Sequence, residues 1–181
     1  AMRRRVFALA WPVIFESFLE TSLGIVDTIL VSRIGEFAIA GVGAAIQVLF
    51  FVIAILSALG VGSAVLVAQS VGAQRLDHAG SLARQSFLWG IVISIPLAIA
   101  GFFFSEEIAA LFRREANVAE VASGYIEITM GTAVVMTSRF LLGGVLRGAG
   151  DSRTPMLVTF GANIINVVLS YGLIFGYFGL P

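Results

Sequence analysis

Three acids share one face of the first apolar stretch: Glu16, Glu20 and Asp27, four and seven residues apart. At about 100° per residue they fall within about 40° of one another on a helix. The run that holds them, residues 6–34, is otherwise largely apolar. An acid at the middle of a bilayer costs roughly 2.5–3.5 kcal/mol on insertion scales, so three would cancel most of what the apolar residues gain. The stripe is tolerable only where it faces other helices or water. It points to a polar cavity inside a helical bundle, and so to transport or ion coupling.

Polar groups on other apolar stretches fall at similar depth. A rise of about 1.5 Å per residue puts Asp27 about 9–11 Å below the outer surface, Ser170 about 12 Å and Asn166 about 18 Å. On the same scale Tyr125 and Glu127 lie about 10–14 Å down. A carboxylate with amide and hydroxyl oxygens can hold Na⁺, which makes Asp27 and Asn166 the candidate ligands. A carboxyl withdrawn from water can instead take up a proton near neutral pH. Either event changes the charge of the cavity. Glu20, nearer the middle of its span, is a second candidate. Glu16 and Arg139 each lie some 12–15 Å from the cytoplasmic ends of their helices, where they would form a buried structural pair. Tyr125 and Glu127 are two residues apart, so at most one lines a shared cavity. Each of these groups also has a plainer reading, a hydrogen bond between neighbouring helices. His78 reads as a solvated loop residue rather than a pH switch.

The elements that must position these groups follow from composition. Of 181 residues 59% are hydrophobic and 12% are charged, and the mean hydropathy is +1.00. A soluble domain carries about twice that charged fraction. The chain is therefore an all-α, polytopic membrane protein, with helical rather than alternating periods. Zero net charge implies no nucleic-acid partner, and the lack of cysteine excludes a disulfide framework or a thiolate metal site. Five apolar segments are each long enough to cross a bilayer: residues 6–34, 37–71, 82–104, 118–146 and 155–178. Together they form one transmembrane domain over residues 1–181. The start of the chain, with Arg3, Arg4 and Arg5, is a retained span rather than a signal peptide: Pro12 and Glu16 cut the apolar run and no cleavage site follows.

Arg3, Arg4, Arg5, Arg75, Arg84, Arg147 and Arg153 fall on one side of these spans. Arg33, Arg113 and Arg114, accompanied by Glu36, Glu106, Glu107 and Glu115, fall on the other. The positive-inside rule then puts the N-terminus in the cytoplasm and Pro181 outside. The connection from Ser105 to Glu120 predicts a short amphipathic helix on the outer surface, capped by Ser105, with Ile108, Leu111 and Phe112 on one face. The many small residues, Gly60, Gly62, Gly143 and Gly144 among them, predict close helix packing.

Gly148-Ala-Gly-Asp151 matches the G-x-G-D pattern of intramembrane aspartyl proteases. Such an enzyme needs two facing aspartates within the membrane, whereas Asp151 lies between Arg147 and Arg153 at a helix boundary. The stretch reads instead as a cytoplasmic turn, with Asp151 paired to Arg and Pro155 starting the next helix. No nucleophile–base set, phosphate loop or thiol–His spacing is present, so the chain is read as a non-enzyme without a cofactor.

Four stretches carry a resemblance to a known family. They are residues 26–35, from Val26-Asp27 to Gly35; residues 58–69, Ala58 to Gln69; residues 146–155, Leu146-Arg-Gly-Ala-Gly-Asp-Ser-Arg-Thr-Pro155; and Asn163-Ile-Ile-Asn166 leading to Ile174-Phe-Gly176. Together they resemble the multidrug and toxic compound extrusion (MATE) transporters, most strongly the prokaryotic DNA-damage-inducible branch. The resemblance implies twelve helices in two six-helix lobes, cytoplasmic termini, a bacterial or archaeal cytoplasmic membrane, and export of amphipathic or cationic compounds driven by H⁺ or Na⁺. This chain resembles the first five helices, so a sixth helix and a second lobe of the same protein are the expected partners, together with the lipid bilayer and the small-molecule substrate. Asp27 matches the family's first-helix aspartate, linked to cation coupling; Tyr125 and Asn166 match polar residues of the same lobe cavity. Glu20 stands where many members have Gln. Ser170 stands where this branch often has a second Asp, and Gly143 near an expected Asn. The alternatives are a lipid-linked oligosaccharide flippase of the same superfamily, which would need a strongly basic cavity, and a five-helix structural membrane subunit.

Overall fold

The computed structural model describes residues 2–111 and 116–174, and all of the regular structure there is helical. Phe112, Arg113, Arg114 and Glu115 of the third connection lie outside the described residues, as do the end of the last expected span and Pro181. The helices are α1 (Met2–Ser32), α2 (Glu36–Gly72), α3 (Leu76–Phe103), α4 (Ser105–Ala110), α5 (Ala116–Gly131), α6 (Ala133–Gly148) and α7 (Arg153–Ile174). By length and apolar content α2, α3 and α7 can each cross a membrane, and α5 with α6 can do so as one broken span. α1, at 31 residues, has the length but lies outside that apolar group.

The chain divides into two compact units. The first, residues 1–39 and 150–181, is built on α1 and α7. Thr159 meets Glu16 and Asn163 meets Leu19, so position rises together along the two helices and they run parallel. Parallel packing is what odd-numbered spans of one chain require.

The second unit, residues 40–149, holds the rest of α2 with α3, α4, α5 and α6. Its core joins Ala44, Ala45, Leu49, Val52 and Leu56 of α2 to Ala109 of α4 and to Ala122, Ile126 and Met130 of α5. α2 runs parallel to α5 and α6. A Cβ on Gly41 would meet Val121, one on Gly60 would come within 2.8 Å of the Phe140 carbonyl oxygen, and one on Gly144 would strike the Gly60 carbonyl. The two backbones touch there, which only residues without a side chain permit. Buried hydroxyls satisfy themselves on their own helix: Ser63 donates to the Leu59 carbonyl at 2.8 Å and Thr137 to the Ala133 carbonyl at 2.8 Å.

The expected helix boundaries need three corrections. The fourth span is not continuous: it bends by 53° between α5 and α6. At the break Thr132 N–H and Thr132 Oγ1 both bond the Thr129 carbonyl, at 3.2 and 2.8 Å, and Gly131 beside it adds no side-chain restraint. A side chain inserted into the carbonyl ladder next to glycine kinks a helix. Second, α3 begins at Leu76, so Asp77 and His78 stand in its first turn rather than in a loop. The turn before it is tight: Gln74 has φ 59°, and Arg75 N–H reaches back to the Ser70 carbonyl at 2.9 Å, a left-handed helix stop made without glycine. Third, Ser105 is not a cap. Only Phe104 separates α3 from α4, so Ser105 is already helical and buried, and Phe104 takes the cap position without a side-chain bond. Glu106 and Glu107 do occupy the first turn.

Candidate functional site

The polar groups of the first unit form two facing rows. On α1 the residues turned toward α7 are Glu16, Leu19, Leu23 and Val26. Glu20 and Asp27 lie about 60–80° round from that line, on one flank. On α7 the row is Thr159, Asn163, Asn166 and Ser170, spaced four, three and four residues. That spacing keeps all four on one strip of helix.

Two side-chain bonds tie the rows. Thr159 Oγ1, buried, donates to Glu16 Oε1 at 3.2 Å. Asn163 Nδ2 donates to the Leu19 carbonyl oxygen at 3.0 Å. Their partners stand 143 and 144 residues apart. Ser170 stands 143 residues after Asp27, so the same register sets Asp27 level with Ser170, and Asn166 one turn below. Ser170 Oγ and Asn166 Oδ1 lie 3.4 Å apart and are hydrogen-bonded. The flank thus carries a carboxylate, an amide and a hydroxyl, with Glu20 two turns below Asp27. Asp27 and Ser170 are half-buried; Glu20 and Asn166 are exposed.

The opposite flank of the same pair is apolar. A groove of about 310 Å³ runs between Leu19, Ser22, Leu23 and Val26 of α1 and Phe160, Asn163, Ile164, Val167 and Val168 of α7. One helix pair therefore presents a polar side and an oily side, with Asn163 at the seam.

Of the other sequence candidates, Tyr125, Arg139 and Arg147 belong to the second unit. Tyr125 is partly exposed on α5. The Arg139 guanidinium lies 5.5 Å from the Phe140 ring centroid, a cation–π contact on α6. Arg147 folds back over Gly143, so that a Cβ there would sit 3.1 Å from its Nη2, and it lines a groove of about 390 Å³ between α2 and α6. Glu16 has its bond to Thr159 within the first unit.

The turn before α7 is built from two glycines and Asp151. A Cβ on Gly148 would strike the Ala64 carbonyl, and Gly150 has φ 94°. Asp151 then accepts from Thr154 Oγ1 at 2.6 Å and from the N–H groups of Arg153 and Thr154 at 3.0 Å each. The Thr154 hydroxyl and these N–H groups hold the Asp151 carboxyl below the usual carboxylate range, and the Arg153 charge adds a smaller share. The expected pairing of Asp151 with Arg is thus secondary to its capping of α7.

In the sequence Asn163 stands out only within a motif, and Thr159 does not stand out at all. Their spacing from Asn166 and Ser170 was the available signal. Among the described residues no three His, Asp or Glu side chains cluster as metal ligands. The flank therefore offers at most a hard, weakly held cation site of few charges, or a proton acceptor.

Comparison with known proteins gives a consistent result. The MatE family model matches residues 12–172. Over 180 residues the chain is 31% identical to the "Probable multidrug resistance protein NorM" of Thermotoga maritima, covering 99% of this chain and 39% of that protein. It is 26% identical over 174 residues to the "Multidrug resistance protein NorM" of Burkholderia vietnamiensis, covering 96% of this chain and 37% of that one. A solved outward-facing multidrug resistance MATE family transporter of the MOP superfamily superposes with a TM-score of 0.88 at 26% identity, covering 96% of this chain and 38% of that one. A MOP superfamily transporter from Pyrococcus furiosus superposes with a TM-score of 0.91; at 24% identity it is alike in fold, again over 96% of this chain and 38% of that one. The chain spans about two-fifths of the length of the relatives it matches.

Proposed function

The chain belongs to the MatE family, and from that premise we propose that it is the first part of a cation-coupled exporter, in which the polar flank of α1 and α7 holds the coupling ion. The observation that carries this reading is the parallel register of the two helices, which sets Asp27 level with Ser170 and one turn above Asn166. Asp27 supplies the charge. Ser170 and Asn166 supply neutral oxygens, and Glu20 a second carboxylate lower on the same flank. Tyr125, on α5, is assigned to the substrate cavity.

The coupling ion is H⁺ or Na⁺. Its arrival at Asp27 neutralises a charge that the flank must otherwise keep hydrated or paired, and this changes which packing of the helices is favoured. Alternating access then releases an amphipathic or cationic compound outward. The protein works with a second lobe in a cytoplasmic membrane, with its N-terminus inside; the seven Arg assigned to that side support the orientation.

The test is efflux from proteoliposomes by the full-length transporter under separate pH and Na⁺ gradients. Asp27→Asn is expected to abolish the response to the driving gradient, and Glu20→Gln to weaken it. Gradient-driven export that survives in both variants would overturn the reading.

A further inference from the structure

The two bonds between α1 and α7 lie on the same polar rows as the proposed cation site but below it, and they fix its geometry. Thr159 Oγ1 reaches Glu16 Oε1 at 3.2 Å, and Asn163 Nδ2 reaches the Leu19 carbonyl at 3.0 Å, one turn further on. They lie two to three turns from Asp27, and both impose the offset that Asp27 and Ser170 share. Beyond them Leu23, Val26, Ile164, Val167 and Val168 line the open groove between the helices, aliphatic surfaces that carry no directional bond to fix the register. Apolar packing between lipid-exposed helices gives affinity without register; a directional bond gives register.

We propose that Thr159 and Asn163 are positioning residues that pin the axial register of α1 against α7, so that the Asp27 carboxylate stands level with the oxygens of Ser170 and Asn166. This rests on the cation-site reading above. The two pins are unlike in kind. Thr159 binds a side-chain oxygen of Glu16, so it needs an acceptor there but no charge. Asn163 binds a backbone carbonyl, so any residue at position 19 serves and only the donor matters. A slip of one residue would move Asp27 about 1.5 Å along the axis, enough to spoil cation coordination, where distances are held to a few tenths of an ångström.

The experiment uses the full-length transporter, made cysteine-free, with two readouts. The first is the half-saturating concentration of the driving cation in proteoliposome efflux. Thr159→Val and Asn163→Leu are each expected to raise it about threefold, and the two together about tenfold, while maximal efflux is largely kept. Thr159→Ser, which keeps the donor, is expected to stay near the unaltered value. Glu16→Gln, which keeps an acceptor oxygen, is expected to recover most of what Glu16→Leu loses. The second readout is disulfide formation between Leu23→Cys and Val167→Cys, which share the 144-residue offset, line the apolar groove and take no part in ion binding. Its yield is expected to fall in the Thr159→Val, Asn163→Leu background, with a gain for Leu23→Cys paired with a neighbouring α7 position.

Unaltered cross-linking in that background would overturn the proposal, whatever efflux does. So would a Glu16→Gln variant as impaired as Glu16→Leu, because charge rather than register would then be at work. Cation dependence that survives Asp27→Asn would sink the cation-site reading alone, and the cross-linking would still decide whether the pins set the register.

Discussion

Two parallel helix pairs in this chain are joined in opposite ways. α2 and α6 meet backbone to backbone, with Gly60 against Gly144 and Phe140, and Ala64 against Gly148. α1 and α7 meet through side chains, with Thr159 on Glu16 and Asn163 on the Leu19 carbonyl. The first seam draws on the sum of many close contacts and has no slack: a single added carbon meets a carbonyl oxygen. The second adds two directional bonds to its packing, each worth on average about 0.6 kcal/mol in a membrane, and it leaves an open groove on one flank and hydrophilic side chains on the other. A pair with a groove on one flank and charge on the other is one whose packing a bound cation can shift, since a ligand moves an equilibrium only by its differential affinity for two states. The second unit is the scaffold; the α1–α7 pair is where a single charge has leverage.

The sharpest way to break that contrast is to overfill the tight seam. Gly144→Leu places a branched side chain against the Gly60 carbonyl and is expected to destabilise the full-length protein by about 3 kcal/mol or more, because the obstacle is backbone and cannot rotate away. Thermal unfolding in detergent would read it. Near-normal melting would mean that the α2–α6 contact is looser than the carbonyl approach implies.

Asn163→Leu should behave in the opposite sense. It removes one interhelical bond and leaves a fully satisfied carbonyl inside α1, so its cost in stability is expected to be about 0.6 kcal/mol and no more than about 1.7. Its effect on the half-saturating cation concentration should be of the same size, about threefold. A melting loss as large as that of Gly144→Leu would place α1 and α7 among the scaffold contacts and dissolve the distinction.

Much of this was legible in the residues, and the parts that were not share a cause. The acidic row was visible because helical period alone puts Glu16, Glu20 and Asp27 on one face. The small-residue seam was visible as composition, though not which glycines meet. The break at Thr132 was not visible. A threonine in an apolar helix can bond its own turn without bending it, as Thr137 does with the Ala133 carbonyl, and the sequence does not distinguish the two. Asn163 was overlooked as a tie because its acceptor is a backbone carbonyl, which every residue carries. Ser105 is not a cap because the cap position depends on where the previous helix stops, and α3 runs on to Phe103. His78 is helical because α3 extends past its apolar stretch as a regular helix, so charge near a helix end does not mark a loop.

The smallest expected effect concerns the joint that leads into α7. Asp151 ends the glycine turn and caps the helix that carries Asn163, Asn166 and Ser170. Its carboxyl is held below its ordinary value of 3.8, first by the Thr154 hydroxyl and then by the Thr154 N–H. A carboxyl lowered in the folded state adds stability that is fully present above its unfolded value and is lost as pH falls through the folded one. The melting temperature should therefore be insensitive to this group at neutral pH and decline on acidification below about 3.8. In Asp151→Asn that contribution to the acid decline disappears, while an amide oxygen still caps the N–H groups, so the neutral-pH melting point falls only slightly. Thr154→Val removes the largest cause of the shift, so it should leave the onset where it is, make the decline smaller and end it at higher pH. Because Asp151 is exposed, added salt should shrink the Arg153 share and leave the hydrogen-bonded share intact. An acid decline in Asp151→Asn equal to that of the unaltered protein would show that the turn holds α7 by its glycines and Pro155 alone.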